Sequence, residues 1–180
     1  GRADAARAAG EPELGLRAAE HALALRPEDG RALALRAELA QEVTRARARE
    51  SLERARVALQ DFRAQSARAL ALESEVLPLR QAVTSRAMSA AESARLVELD
   101  GELADLGRTL EGRFAEVLEA LERARGLDPD DAAAEQVLAE LYLERWRAAL
   151  AAQDARGERH YRALVESHDR AGRHAGELGT

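Results

Sequence analysis

Residues 31–77 read RALALRAELAQEVTRARARESLERARVALQDFRAQSARALALESEVL, a stretch with neither Gly nor Pro. Nearly every residue in it favours helix, and at 1.5 Å per residue it makes a rod of about 70 Å. Because Pro interrupts a helix interior, we expect Pro78 to end this rod. An interrupted pair of helices is the alternative. The apolar positions follow helical spacing, with Ser66 and Glu73 on the same seam: Leu52, Ala55, Leu59, Phe62, Ala69 and Val76.

A second long helix is predicted over residues 90–125. It begins at Ser89-Ala90-Ala91-Glu92, a capping box in which the Ser hydroxyl and the Glu carboxylate satisfy backbone N–H groups that lack helical partners. Between Pro78 and this box, over 79–88, we expect a turn with one short helical segment. The apolar stripe of the second helix is regular: Leu96, Leu99, Leu103, Leu106, Leu110, Phe114, Val117, Leu121 and Ala124.

The two long helices predict an antiparallel hairpin. Neither is stable alone in water, because helix stability in proteins comes chiefly from burying an apolar face against a neighbour. Pairing between two chains would bury the same stripes, so a homodimer is the alternative. We expect the pairing to occur within one chain.

Shorter helices flank the hairpin. A short helix precedes Gly10, and a second runs over 13–25 with Pro12 at its start, where helix geometry favours Pro. After the hairpin, residues 126–131 form a turn, and helices follow over 132–152 and 155–169. Asp130 or Asp131 caps the first of these. The tail from 170 holds a short helical turn at most.

The two turns beside the hairpin share a pattern. AAEHALALRPEDGR (18–31) and ALERARGLDPDDAA (120–133) each contain a helix end, then x-Pro-x-Asp, then a new helix. This pattern resembles the junction between tetratricopeptide (TPR) repeats, where a small residue five positions before the Pro lets helices approach closely. Ala22 and Ala124 hold that position. Ordinary helix corners are the alternative. A continuous repeat array is not supported, since a 34-residue period from Pro27 falls at Asp61 and Arg95, and no turn signal lies near either.

Composition supports a soluble, all-α chain. The 180 residues include 42 Ala and 27 Leu but no Cys, Lys, Ile or Asn, and the net charge is −6. Such usage is typical of long helices, leaves too few β-branched and aromatic residues for a sheet, and excludes a disulfide framework or thiolate zinc site. No stretch has the length of uncharged apolar residues that a membrane span needs. The missing Lys, Ile and Asn indicate a GC-rich, bacterial source.

The sequence carries no catalytic or phosphate-binding motif, so we expect neither enzymatic activity nor a cofactor. The His168-Asp169 pair and His174 do not match a metal-ligand spacing. The run Arg45-Ala46-Arg47-Ala48-Arg49 is neutralised by nearby Glu residues at helical spacing. We therefore predict no metal site and no nucleic-acid binding.

Three aromatic residues are the candidate binding residues. Tyr142 and Trp146 are four apart on one predicted helix, and Tyr161 lies on the next. This spacing favours a shared core for the C-terminal helix pair. The alternative is a protein-binding groove lined by the three rings.

The C-terminal third carries a more specific resemblance. Its segments LAELYLER (138–145), YRALV (161–165), HDR (168–170) and GRH (172–174) appear in an order that resembles the helical region following the kinase domain of large bacterial serine/threonine kinases of the myxobacterial type. In that family a TPR-like segment with long helices links the kinase to a C-terminal domain, often one similar to formylglycine-generating enzyme.

The resemblance implies a helical spacer and protein-interaction region within a longer cytoplasmic signalling protein. The expected fold is all-α, a long antiparallel helical hairpin (31–126) flanked by TPR-like helix-turn-helix elements (1–30 and 127–180). The expected partner is protein, either another domain of the same chain, a separate protein or a second copy. A free-standing scaffold or adaptor without a kinase is the alternative.

Overall fold

A computed structural model describes residues 2–179 of the chain, apart from the side chains of residues 7 and 8. All regular structure in this part of the chain is helical, which confirms the all-α prediction. In chain order the helices are α1 (Arg2–Ala8), α2 (Pro12–Leu25), α3 (Gly30–Ser85), α4 (Ala90–Leu127), α5 (Ala132–Ala151), α6 (Ala155–His168) and α7 (Ala175–Leu178).

Helix α3 is longer than the sequence predicts. It has 56 residues, a length of about 84 Å at the helical rise. Asp29 caps its start, accepting hydrogen bonds from the backbone N–H groups of Arg31 (3.0 Å) and Ala32 (3.1 Å). The helix then continues through Pro78 to Ser85 without interruption.

The prediction that Pro78 ends the rod is therefore wrong, as is the turn expected just after it. Pro78 lies on an exposed face of α3, where water can satisfy the Ser74 carbonyl that loses its helical partner. On either side, Val76 and Ala82 are buried. Packing on both sides of the Pro thus holds the helix together across it.

Helix α4 pairs with the C-terminal half of α3 as the predicted antiparallel hairpin, within one chain. Three ion pairs cross between them: Arg80–Asp100 at 2.8 Å, Glu75–Arg95 at 3.2 Å and Arg68–Glu102 at 3.7 Å. The whole predicted stripe of α4, from Leu96 to Ala124, is buried or half-buried. The predicted capping box is also confirmed. Ser89 Oγ accepts from the Glu92 N–H at 3.2 Å, and Glu92 Oε2 accepts from the Ser89 N–H at 2.8 Å.

The α3 seam differs from the prediction by one residue. Leu72 is buried in it and Glu73 is exposed. The seam near the hairpin tip therefore runs through Ala69, Leu72, Val76 and Leu79, which keeps it apolar. The polar side chain that seemed to interrupt it faces solvent instead.

The N-terminal half of α3 carries the corner formed by α1 and α2. Leu39 is buried against Ala3 and Ala19. A Cβ added to Gly15 would lie 3.2 Å from both Leu39 methyl groups and 3.3 Å from the Ala3 carbonyl oxygen, so a side chain here would force the buried Leu39 or α1 to shift by a few tenths of an ångström. The corner thus packs directly on the long helix.

The middle of α3, the end of α4 and α5 form a three-helix body with a common core. Leu59, Phe62, Leu121 and Leu141 are among its buried side chains. Asp131 is the N-cap of α5, accepting from the Ala133 N–H at 2.9 Å. Helix α6 then packs on α5, and the tail adds only the four residues of α7.

Candidate protein-interaction surfaces

The structure brings the three predicted aromatic residues into one cluster. Tyr142 and Trp146 of α5 and Tyr161 of α6 surround a core with Val165 and Leu178. Trp146 is only 7% exposed, and its indole N–H has no hydrogen-bond partner. The cluster therefore occupies the interior of the C-terminal corner, where Tyr142 and Tyr161 remain half-exposed.

A row of aromatic rings continues from this cluster into the three-helix body. Ring centroids are 6.2 Å apart for Phe62 and Phe114, 6.5 Å for Phe114 and Tyr142, and 5.5 Å for Tyr142 and His168. Rings tilted against each other at such distances attract each other beyond simple area burial. The row crosses α3, α4, α5 and α6, so it fixes the angle between the corner and the body.

Arg145 strengthens the same junction. Its guanidinium lies 4.9 Å from the Phe114 centroid and 5.5 Å from that of Tyr161, and it donates to Tyr161 Oη at 3.3 Å and to Glu111 at 3.0 Å. Burial lowers the pKa of Arg145, but these contacts outweigh it and raise the pKa above the ordinary value. A fixed positive charge thus stays between the two rings.

A buried carboxylate joins α4, α5 and α6. Glu135 is 6% exposed; its Oε1 lies 3.0 Å from Arg125 Nε, and its Oε2 lies 2.7 Å from His168 Nδ1. Burial raises the pKa of Glu135, but the hydrogen bond with His168 and the charge of Arg125 together lower it below the ordinary value. Sequence reasoning missed Glu135, because no spacing signal linked it to His168.

A cleft of about 600 Å³ lies between α1, α2 and the start of α3. Its walls include Ala18, Ala22 and Leu35, and its rim carries Arg17 and His21. Ala22, the small residue that the sequence pattern singled out five positions before Pro27, lines this cleft. The apolar walls make this a surface where a protein segment could dock.

A second groove, of about 850 Å³, runs along the outer face of the hairpin between α3 and α4. Leu70, Leu77 and Glu73 line it from α3, and Gly107 lines it from α4. Ala151, the last residue of α5, closes one end. The groove thus begins where the third helix of the body stops.

The rows of residues on α3 and α4 that face α5 explain why α5 ends at Ala151. At intervals of seven residues they change from apolar to polar or small: Leu52, Leu59, Ser66, Glu73 and Arg80 along α3, and Leu121, Phe114, Gly107 and Asp100 along α4. The apolar members pack against α5. Beyond them a third helix would bury charged side chains, at high cost unless each one met an opposite charge. We call the two-helix part, residues 66–85 and 90–107, the arm.

The remaining sequence candidates are scattered. Arg47 forms an ion pair with Glu13 of α2 at 3.0 Å, while Arg45 and Arg49 are exposed on α3. Among residues 2–179, no three His, Asp or Glu side chains are grouped as metal ligands would be. None of the helices described combines the length and apolarity needed to cross a membrane.

Comparison of the chain with protein-family models, with curated proteins and with solved structures found no match.

Proposed function

We propose that this chain is a non-catalytic helical spacer and protein-interaction region of a multidomain bacterial signalling protein in the cytoplasm. In this proposal it corresponds to the TPR-like segment that follows a serine/threonine kinase domain. The observation that supports it best is the continuity of α3, which has 56 residues and no break. A single helix carries the N-terminal corner, the three-helix body and the arm.

Such a helix holds its attachments at a set distance and angle. A flexible Gly/Ser linker behaves as a random coil, whereas a helix keeps about 1.5 Å per residue. Rotation of the C-terminal corner is opposed by the aromatic row and by the Glu135 contacts with Arg125 and His168. The two corners are therefore suited to present domains or docking surfaces in a fixed relation.

Small-angle X-ray scattering tests the spacer shape. A compact chain of this length has a radius of gyration of about 16 Å, whereas a rod as long as α3 has about 24 Å on its own. We expect a value well above the compact one. A value near 16 Å would show that the long helix folds back in solution, and the spacer proposal would fail.

Distance measurement between spin labels tests its rigidity. The chain has no Cys, so Leu33→Cys and Val57→Cys introduce unique labelling sites at exposed positions of α3. The helical rise predicts a narrow distribution near about 36 Å. Glu50→Gly with Glu53→Gly should broaden it, and the matched pair Glu50→Ala with Glu53→Ala should not. A broad distribution in the parent would refute rigid spacing.

The link to a kinase has a separate test. A kinase domain in the reading frame upstream of Gly1 supports the signalling assignment. Its absence favours a free-standing scaffold or adaptor, with the spacer geometry unchanged.

A further inference from the structure

The outer face of the arm exposes large apolar side chains that the fold does not use. Leu70, Leu77 and Val97 are between 53% and 74% exposed. Leu70 and Leu77 are seven residues apart on α3 and line the groove. Val97 lies seven residues before Ala104, so it continues the row of α4 that borders the same groove.

We propose that this face of the arm binds a second copy of the chain, in an antiparallel pair whose two-fold axis crosses the arm near Leu77 and Asp100. The inference rests on the proposed function, because it gives the spacer arm its partner. The physical basis is that residues at equal distances on either side of this axis complement each other. On α3 they have opposite charges, and on α4 a large residue matches a small one.

The charges match across the axis. Glu73 and Arg80 lie on either side of a point between Val76 and Leu77, so antiparallel pairing places Glu73 opposite the partner's Arg80, and the reverse. Within residues 2–179 Glu73 forms no ion pair. The axis also brings Asp100 close to the partner's Asp100, and Arg80 offsets this like charge because it donates to Asp100 at 2.8 Å. The Arg80 guanidinium has further donors for Glu73.

A precedent for a shared arginine exists in the same helix. Arg63 donates to Glu140 at 3.1 Å and to Glu144 at 2.9 Å where α3 meets α5. Arg63, Leu70 and Leu77 follow one another at intervals of seven residues. Leu70 and Leu77 of the arm therefore extend the row of α3 residues in which Arg63 contacts α5.

The side-chain sizes also match. The axis passes between Asp100 and Gly101 on α4, which places the large Val97 opposite the small Ala104 of the partner. On α3 it places Leu77 beside the partner's Leu77. Gly107 has open space around its missing Cβ, which leaves room for a side chain from another copy. On α4 a large residue thus meets a small one, as close helix packing requires, and on α3 two leucines pack side by side.

The end of α5 limits the overlap. Ala151 and Ala152 close the groove beside Leu70, so the partner's tip can advance until it meets them. The overlap is then about 16 residues per helix, or about 24 Å. With two helices about 20 Å wide, each copy buries about 500 Å², at the low end for a specific interface. We therefore expect a weak, reversible dimer.

Sedimentation equilibrium over a range of about 1 µM to 1 mM measures this association. For the parent chain the average mass should rise from 19.5 kDa toward twice that value. Leu77→Lys places two like charges at the axis and should abolish the rise. Val57→Lys is the matched control, because Val57 is 60% exposed and Leu77 58% but Val57 lies outside the groove. Circular dichroism at 222 nm should show unchanged helix in both.

A charge exchange tests the register. Glu73→Arg alone and Arg80→Glu alone each place like charges across the axis, and each should remain at 19.5 kDa. An equimolar mixture of the two variants restores both opposite-charge pairs in a heterodimer and should recover the association of the parent.

A parent chain that stays monomeric throughout would overturn the proposal, as would a Leu77→Lys chain that associates normally or a mixture that fails to recover. The outcome is separable from that of the proposed function. A monomer whose scattering still shows the extended arm removes the dimer and leaves the spacer, whereas a compact monomer removes both.

Discussion

A single buried residue, Glu135, links three helices of this fold. Its buried carboxylate contacts both Arg125 and His168. We expect Glu135→Gln to lower the free energy of unfolding by about 1–3 kcal/mol, because charged hydrogen bonds are lost in a buried site. Urea denaturation followed by circular dichroism measures the change.

Glu119→Gln is the control for this substitution. Glu119 forms an exposed ion pair with Arg123 at 2.7 Å, a type that contributes at most about 1 kcal/mol. Equal effects of the two substitutions would contradict the account based on burial.

Residue-scale features were the hardest to predict. Glu135 and His168 are 33 residues apart, and only the packing of α6 on α5 brings them together. Leu72 and Glu73 are adjacent, and both fit a helical seam to within one residue, so spacing alone could not choose between them. The three aromatic residues were correctly grouped, since two of them are one helical turn apart.

Among the elements, α3 contains a Pro that the fold tolerates at some cost in stability. Alanine at this position has a backbone N–H that can donate to the Ser74 carbonyl, which has no helical partner in the parent chain. Pro78→Ala should therefore raise the free energy of unfolding by about 1–3 kcal/mol. Pro12→Ala is the control. Pro12 occupies the first turn of α2, where no hydrogen bond is lost, and its replacement should stabilise nothing. Thermal unfolding of both variants distinguishes the two positions.

The capping box of α4 gives the hairpin turn a pH dependence. A hydrogen bond from Arg86, followed by one from the Ser89 N–H, lowers the pKa of Glu92 from 4.5 to about 2. A carboxyl whose pKa is lower in the folded state adds stability above its unfolded pKa. The contribution of Glu92 should therefore be complete above pH 4.5 and disappear as the pH falls toward 2.

Comparison with Glu92→Gln isolates this contribution, because Gln retains a capping side chain without the charge. The parent should have the higher melting temperature at pH 6, and the difference should vanish near pH 2. A difference that stays constant with pH would show that the charge of Glu92 has no role.

Helix boundaries were predicted correctly where one residue or capping motif determines them locally. Ser89, Asp131 and Pro12 each predicted a helix start that the structure confirms. Pro78 misled because its effect depends on neighbours. Val76 and Ala82 bury themselves on both sides of it, and no local rule includes that packing. Pairing between two chains would bury the same stripes as pairing within one chain. Local sequence signals therefore could not decide that α3 pairs with α4 of the same chain.

At the scale of the whole molecule, the long hairpin contains two cores of different kinds. The three-helix body buries Leu59 and Phe62 between α4 and α5, whereas the arm has only a two-helix seam with Leu72 and Leu99. Fewer buried contacts mean a lower free energy of local opening. The arm should therefore open without the body, even though both share α3.

Two leucine substitutions test this division. Leu59→Ala removes a side chain from the body and should destabilise the whole chain by about 2–5 kcal/mol. Leu72→Ala should act on the arm alone, where Leu72 is 8% exposed in the seam. Hydrogen exchange read by mass spectrometry should then show faster exchange for residues 66–107 only. If Leu72→Ala accelerates exchange equally in α5, the two cores unfold as one unit, and the arm does not open independently of the body.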